Sequence, residues 1–223
     1  MQYALKDVDV LILCGGKGER LREITKSVPK PMVKIWQRPF LDIIITYLSN
    51  FGFRRFILGV GYKARIIENY YLKNRKKGLK IIFSREKRPL GTGGGVKHAQ
   101  KVIRSHRFFV LNGDSFCQFD PHKFLSFHKK NKSLVSILLR KENNCKDYGE
   151  IKIDSGSRIS AFNEKNNNIK NCWINAGIYI FDHMIFKLMP SIQKFSLERD
   201  FFPNLHGRGF FGYKTKGLFI DIG

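Results

Sequence analysis

Five short runs of β-branched, aliphatic and aromatic residues recur along the first two-thirds of the chain, with helix-length stretches between most of them. VDVLIL (8 to 13), RRFILGVG (54 to 61), LKIIFS (79 to 84), RFFVLNGD (107 to 114) and SLVSILLR (133 to 140) read as buried strands. PFLDIIITYLSNFGF (39 to 53) and ARIIENYYLKN (64 to 74) read as helices, the first with Pro39 near its start and Gly52 near its end. DPHKFLSFHKKN (120 to 131) is a third, opened by Asp120 and Pro121, and a glycine loop leads into another over GGVKHAQKVI (94 to 103). This β-α-β-α order is the strongest constraint on the fold. Successive parallel strands need crossover helices, and those helices cover both faces of a mostly parallel sheet. After residue 145 the texture changes. YGEIKID, SRISAFNEK and CWINAGIYIF follow closely with no long helix between, which predicts antiparallel strands added to the sheet or lying across its edge. No linker and no internal repeat divides the chain, so one α/β domain spanning 1–223 is expected.

Composition narrows the class. No apolar stretch approaches the roughly 20 residues of a membrane span, and the N-terminus lacks the long apolar core of a leader peptide. Cys14, Cys117, Cys145 and Cys172 stand singly, without C-x-x-C spacing. That argues against a zinc site or a disulfide frame and makes a reducing cytoplasm the expected compartment. The 41 Lys and Arg against 18 Asp and Glu give a net charge of +23. Such a surface attracts polyanions, yet the cations are spread from Lys6 to Lys216, and nucleic acid is not the expected partner.

The loop after the first strand, CGGKGERL (14 to 21), has the makings of an anion cradle. It is neither G-x-x-x-x-G-K-[S/T], because Lys17 is followed by Gly18, nor G-x-G-x-x-G, because Leu21 stands at the third glycine position. The physics still holds: Gly15, Gly16 and Gly18 let backbone N–H groups face outward, and Lys17, Arg20 and Arg22 add positive charge. Lys30 then sits between Pro29 and Pro31, where an extended, stiff backbone would aim it.

Taken together, CGGKGERL and VPKPM resemble the signature of the sugar-1-phosphate nucleotidyltransferases. EKRPLGTGG (86 to 94), LNGD (111 to 114), YG (148 to 149), FNEK (162 to 165), NAGIY (175 to 179) and FIDIG (219 to 223) follow in the family's order. The resemblance covers nearly the whole chain. It implies a Rossmann-like mixed sheet with a nucleotide-binding part to about residue 145 and a sugar-phosphate-binding part from about 146 to 223. It also implies Mg²⁺ and a reaction that joins an NTP to a sugar 1-phosphate with release of pyrophosphate. Such chemistry explains why no Ser-His-Asp set or poised cysteine is apparent. The attacking phosphate is already an anion, so positioning and charge neutralisation suffice.

Carried onto matching positions, the family pattern puts the triphosphate on Gly15, Gly16 and Gly18, beside Leu13, with Arg20 on the departing phosphates and Lys30 toward the α-phosphate. Asp114 and Asp221 would hold the metal through oxygen. Glu86 falls where a side chain meets the base, and Gly91 and Thr92 supply close contacts. An ionised carboxylate only accepts hydrogen bonds. Guanine offers two adjacent donors and uracil or thymine one, which favours GTP. Asn112 and Gly113 would border the ribose or the sugar. On the sugar side the pattern implicates Gly149, Glu164, Asn175 and Lys165, the last holding the sugar phosphate.

Within the family, the short chain and PLGTGG point to the branch using GTP and D-glycero-D-manno-heptose 1-phosphate for surface polysaccharides. Mannose 1-phosphate with GTP, or another sugar 1-phosphate with UTP or dTTP, is the alternative. A non-catalytic, basic nucleic-acid binder is the alternative of another class. Three departures stand out. Glu19 replaces a common threonine, the charge exceeds what small anions require, and the sequence stops at Gly223, where relatives usually continue into a closing helix. Oligomeric state is not readable, although family members of this size often form homodimers through exposed strands.

Overall fold

The computed structural model describes residues 4–16, 27–145, 150–162, 170–205 and 207–222. The chain starts with β1 (Asp9–Cys14) and reaches a small hairpin of β2 (Lys34–Ile35) and β3 (Arg38–Pro39), which enters α1 (Phe40–Asn50). β4 (Arg55–Val60), α2 (Ala64–Lys73), β5 (Lys80–Arg85), α3 (Gly91–Ala99) and β6 (Arg107–Asn112) continue the alternation. Next come β7 (Ser115–Cys117), α4 (Pro121–Lys130) and β8 (Val135–Asn144). α4 begins as its sequence predicts: the Asp120 carboxylate accepts from the N–H groups of His122 and Lys123, and Pro121 occupies the first turn.

β9 (Ile151–Ile153), β10 (Ile159–Phe162), β11 (Lys170–Asp182), β12 (Phe210–Thr215) and β13 (Phe219–Asp221) complete the chain. The main sheet has seven strands in the order β12-β8-β11-β6-β1-β4-β5. All its strands run parallel except β11, which is antiparallel to both β6 and β8. The sheet is therefore the expected mostly parallel one. β11 does not lie at its edge, however: it is inserted between two strands that would otherwise be neighbours. Local texture revealed an antiparallel strand but carried no information about which partners it would find.

Side chains alternate across the sheet as strand geometry requires. Val10 and Ile12 of β1, Phe56 and Leu58 of β4, and Phe109 and Leu111 of β6 face one core, covered by α1, α2 and α4. Leu11, Ile57, Phe108 and Val110 face the other, covered by α3 and the short 3-10 and π turns between His183 and Leu205. The cysteines hold a correction. Cys145 and Cys172 form a disulfide, with Cα atoms 6.3 Å apart, while Cys14 and Cys117 are free and buried. The pairing of β8 with β11 places Glu142 opposite Cys172, and so brings together two thiols separated by 27 residues in sequence. Spacing along the chain had no way to show this.

Candidate active site

From β1 the chain passes to β4 and β5 on one side, then returns to β6 on the other side of β1. A crevice opens at such a switch point, beyond the carboxyl ends of the strands. The loops there are fastened to one another: Gly113 N–H donates to Leu13 O (2.9 Å) and Tyr62 N–H to Gly15 O (3.2 Å). Gly113 has no room for a side chain, since a Cβ there would lie 2.8 Å from Leu13 O. The cleft has a volume of about 710 Å³ and is lined by Leu13, Gly15, Gly16, Lys30, Glu86, Gly91, Thr92, Asn112 and Asp114. Every one of these residues was selected from the sequence.

Lys30 is buried and donates from Nζ to Asp114 Oδ2 at 2.6 Å. Its backbone differs from expectation. Pro29 is extended, but Lys30–Met32 form a 3-10 turn closed by Val33 N–H to Lys30 O (3.1 Å). The two prolines still stiffen it. Asp114 occupies the turn between β6 and β7, and β7 pairs antiparallel with β13 so that Asp221 stands opposite Ser115. Ile222 N–H donates to Asp114 O (3.1 Å), so the two candidate metal carboxylates belong to one small ribbon. On either side of Asp114, Asn112 Oδ1 and Ser115 Oγ are buried without a hydrogen-bond partner among the described residues. An oxygen-only donor set of this kind suits a hard cation. Among the described residues no group of three or more His, Cys, Asp or Glu is placed to hold a metal ion. Cys14 also borders the cleft, but burial, and then the charge of Asp114, push its thiol far above the usual range. It is no nucleophile.

Glu86 is half-buried, with Oε2 accepting from Leu90 N–H at 3.2 Å. Its carboxylate packs on two glycines, and a Cβ at Gly95 would come within 2.8 Å of Oε1. Burial raises its pKa above the usual carboxylate range, and the Leu90 amide opposes the shift. The glycine run itself is helical, contrary to the expected loop: α3 starts at Gly91 (φ +75°) and ends at Ala99. The reason is packing. Gly93 and Gly94 N–H both donate to Phe195 O, and a Cβ on either residue would collide with the 193–195 segment seated against them.

Gly18, Arg20, Gly149, Glu164 and Lys165 lie outside the described residues. Asn175, on β11, makes two bonds within the protein. Its Nδ2 donates to Tyr179 Oη (2.7 Å) and its Oδ1 accepts from Gly177 N–H (2.9 Å). Tyr179 donates in turn to Glu198 Oε1 (3.0 Å), and Glu198 Oε2 accepts from Thr92 (2.8 Å) and Ser196 (2.8 Å). Burial, and then the Glu198 charge, push the Tyr179 hydroxyl far up. Sequence reasoning missed Glu198, and also Tyr62, Arg88 and Lys194, which line the cleft. Tyr62 had a signal, since it follows the carboxyl end of a predicted strand, and Arg88 lies within the EKRPLGTGG segment; Lys194 and Glu198 had none.

A mostly parallel sheet, a glycine-lined cleft at its switch point and a lysine–aspartate pair within it define a phosphate-handling enzyme of the nucleotide-binding α/β class. The family model for nucleotidyl transferase matches residues 9–209, and the chain belongs to the nucleotidyl transferase family. It is 38% identical over 216 residues to the D-glycero-alpha-D-manno-heptose 1-phosphate guanylyltransferase of Campylobacter jejuni, covering 97% of this chain and 95% of that one. It is 34% identical over 223 residues to the mannose-1-phosphate guanylyltransferase of Mycobacterium tuberculosis; the match takes in 99% of this chain but only 62% of that longer protein. Among solved structures, HddC from Yersinia pseudotuberculosis complexed with GMP-PN superposes with a TM-score of 0.86 at 37% identity, covering 96% of this chain and 93% of that one.

Proposed function

We propose that the chain is a guanylyltransferase that condenses GTP with D-glycero-α-D-manno-heptose 1-phosphate, giving the GDP-heptose and pyrophosphate. The observation that carries this reading is the pairing of a buried Lys30 with a half-exposed Asp114 in a glycine-lined cleft, in a chain similar along its length to heptose 1-phosphate guanylyltransferases. An oxygen of the sugar phosphate attacks the α-phosphorus of GTP as the bond from that phosphorus to the β-phosphate bridging oxygen breaks, and pyrophosphate leaves with the electron pair. No proton needs to be removed from the nucleophile. Backbone amides of Gly15 and Gly16 face the triphosphate, and Arg20 neutralises the departing phosphates. Lys30 shifts its ammonium from Asp114 toward the α-phosphate as charge gathers there. Asp114 and Asp221 would hold Mg²⁺, which supplies Lewis-acid neutralisation of the phosphate oxygens when bound. Glu86, already fixed by Leu90 N–H, accepts from guanine N1–H and the 2-amino group. Gly91 and Thr92 contact the nucleotide, and Gly149, Glu164, Lys165 and Asn175 hold the sugar phosphate. GTP is a cytoplasmic metabolite, so this reading assigns the chain to the cytoplasm. The open edges of β5 and β12 offer surfaces for a homodimer.

The reading is tested by following phosphate release with inorganic pyrophosphatase, Mg²⁺, each nucleoside triphosphate and a panel of sugar 1-phosphates. Release confined to GTP with the manno-heptose is expected. Mannose 1-phosphate is the second reading, supported by the match of 99% of this chain to 62% of a mannose-1-phosphate guanylyltransferase, and the same panel separates the two. Silence with every pair would sink both.

A further inference from the structure

Glu198 lies outside every motif of the sugar-1-phosphate nucleotidyltransferase signature, yet it bonds to residues on both sides of the site. On the nucleotide side, Thr92 at the start of α3 donates to Oε2 at 2.8 Å, while Leu197 N–H donates to the same threonine hydroxyl at 2.8 Å. Opposite, Tyr179 donates to Oε1 at 3.0 Å and accepts from Asn175 Nδ2 at 2.7 Å. The segment that carries the glutamate is fastened as well. Ser196 Oγ caps its turn by accepting from Glu198 and Arg199 N–H, and Ser196 N–H donates to Asp200 Oδ2.

The direction of these bonds matters. An ionised carboxylate only accepts, so the hydroxyls of Thr92, Tyr179 and Ser196 all point their protons at Glu198. The Tyr179 oxygen is thereby left to accept, and it takes the Asn175 amide nitrogen. Gly177 N–H fixes the amide oxygen from the other side. One hydrogen on Nδ2 and one lone pair on Oδ1 are left to serve a ligand.

We propose that Glu198 is a positioning residue that sets the nucleotide loop and the sugar-side strand in register, acting through Thr92 on one arm and through Tyr179 and Asn175 on the other. The proposal rests on the functional reading above, because it takes Thr92 and Asn175 to border the two substrates. A half-buried carboxylate that accepts from Thr92, Tyr179 and Ser196 holds the first two in one geometry, and small losses of alignment at a reacting centre are costly in rate.

The test is steady-state kinetics on Thr92→Val, Tyr179→Phe, Glu198→Gln and Glu198→Ala, with melting temperatures measured alongside. Thr92→Val cuts one arm and should raise KM for the nucleotide with little change for the sugar phosphate. Tyr179→Phe cuts the other arm and should do the reverse. Glu198→Ala should raise both and lower kcat, with kcat/KM down roughly 10- to 100-fold, the usual cost of removing a group that orients a contacting residue. Glu198→Gln keeps the volume but loses one accepting face, and should fall between wild type and alanine. Adding Thr92→Val to Glu198→Ala should raise the nucleotide KM by less than the two single changes would together, because both cut the same arm while Thr92 also touches the nucleotide itself. A merely structural glutamate would lower the melting temperature and the active fraction while leaving both KM values at wild type, and that pattern overturns the proposal. Should Glu198→Ala fail to fold, Tyr179→Phe decides the matter, because Tyr179 contacts no substrate in this reading: an unshifted sugar-phosphate KM there overturns the proposal. A wild-type chain that turns over no substrate pair defeats the functional reading and this inference with it; active wild type with unshifted variants defeats the inference only.

Discussion

Two ion pairs sit at opposite ends of the central strands, and they are built differently. At the amino end, Asp9 on β1 is bonded to Arg55 on β4 and also accepts from Arg104 N–H (2.6 Å) and Ser105 N–H (2.9 Å). Arg55 donates again to Val102 O at 2.7 Å. At the carboxyl end, Lys30 and Asp114 have one short bond to each other and border the cleft. The first pair spends most of its hydrogen-bonding capacity within the fold. The second keeps most of its own for something that arrives. Charges taken out of water need compensation, and where the fold supplies only part of it, a ligand is the natural source of the rest.

The sharpest way to break this comparison is to neutralise one acid in each pair. Asp114→Asn should lower kcat about 10³-fold, the scale of losing one preorganised electrostatic contact to a transition state. Its melting temperature should stay within a degree or two of wild type; normal turnover with Mg²⁺ would remove Asp114 from the site. Asp9→Asn should do the opposite. Leaving Arg55 without its carboxylate should cost about 3 kcal/mol in chemical denaturation, while kcat per folded molecule stays unchanged. A catalytic defect in well-folded Asp9→Asn would erase the distinction between the two ends.

Smaller effects sharpen it. Glu86→Gln should reduce the preference for GTP over other triphosphates by about 10- to 100-fold, the worth of a hydrogen bond to a charged acceptor. The pKa of Glu86 is raised by burial, and only the ionised form accepts both guanine donors. GTP affinity should therefore fall on acidification at a pH above the ordinary glutamate value, and Glu86→Gln should show no such fall.

His128 offers a control away from the cleft. Fully buried with Nδ1 against Ser136 Oγ (2.9 Å), it has its pKa pushed down to about 3 by burial, with Arg107 and Lys129 adding to the effect. The unfolded chain then binds a proton that the folded one refuses. Stability should be lost as pH falls from about 6.5 toward about 3, by roughly 1.4 kcal/mol per pH unit mid-window. Urea titrations of wild type and His128→Gln across that range measure it, and equal slopes would refute the assignment.

Five of the six parallel strands of the main sheet and three of the helices were legible because hydrophobic periodicity and caps are local; β12 (Phe210–Thr215) was not read. β1, β4, β5 and β6, and the start of α4 at Asp120, needed nothing beyond their own segments. The helix expected over 94 to 103 was found, but its start at Gly91 was not legible, because Gly93 and Gly94 donate to Phe195 O, a hundred residues on in the chain. The same is true of the Cys145–Cys172 bridge and of Glu198, whose partners are set by the placement of β11. In the cleft, residues at strand ends were found from sequence, since the ends of predicted strands converge by topology. Lys194 and Glu198 come from a segment of short turns with no regular period, so nothing marked them out.

The inserted strand also dictates an order of assembly. β5, β4, β1 and β6 are joined by short crossovers and can pair once residue 112 has been made. β8, made next, has no seat beside β6 and must wait for both β11 and β12. During synthesis the outer edge of β6 stays open over some sixty further residues, from Asn112 to Lys170. An open strand edge recruits whatever strand is nearest. A nascent chain halted before Lys170 should therefore expose an unpaired edge of β6, which β11 covers only once Ile178–Asp182 have been made.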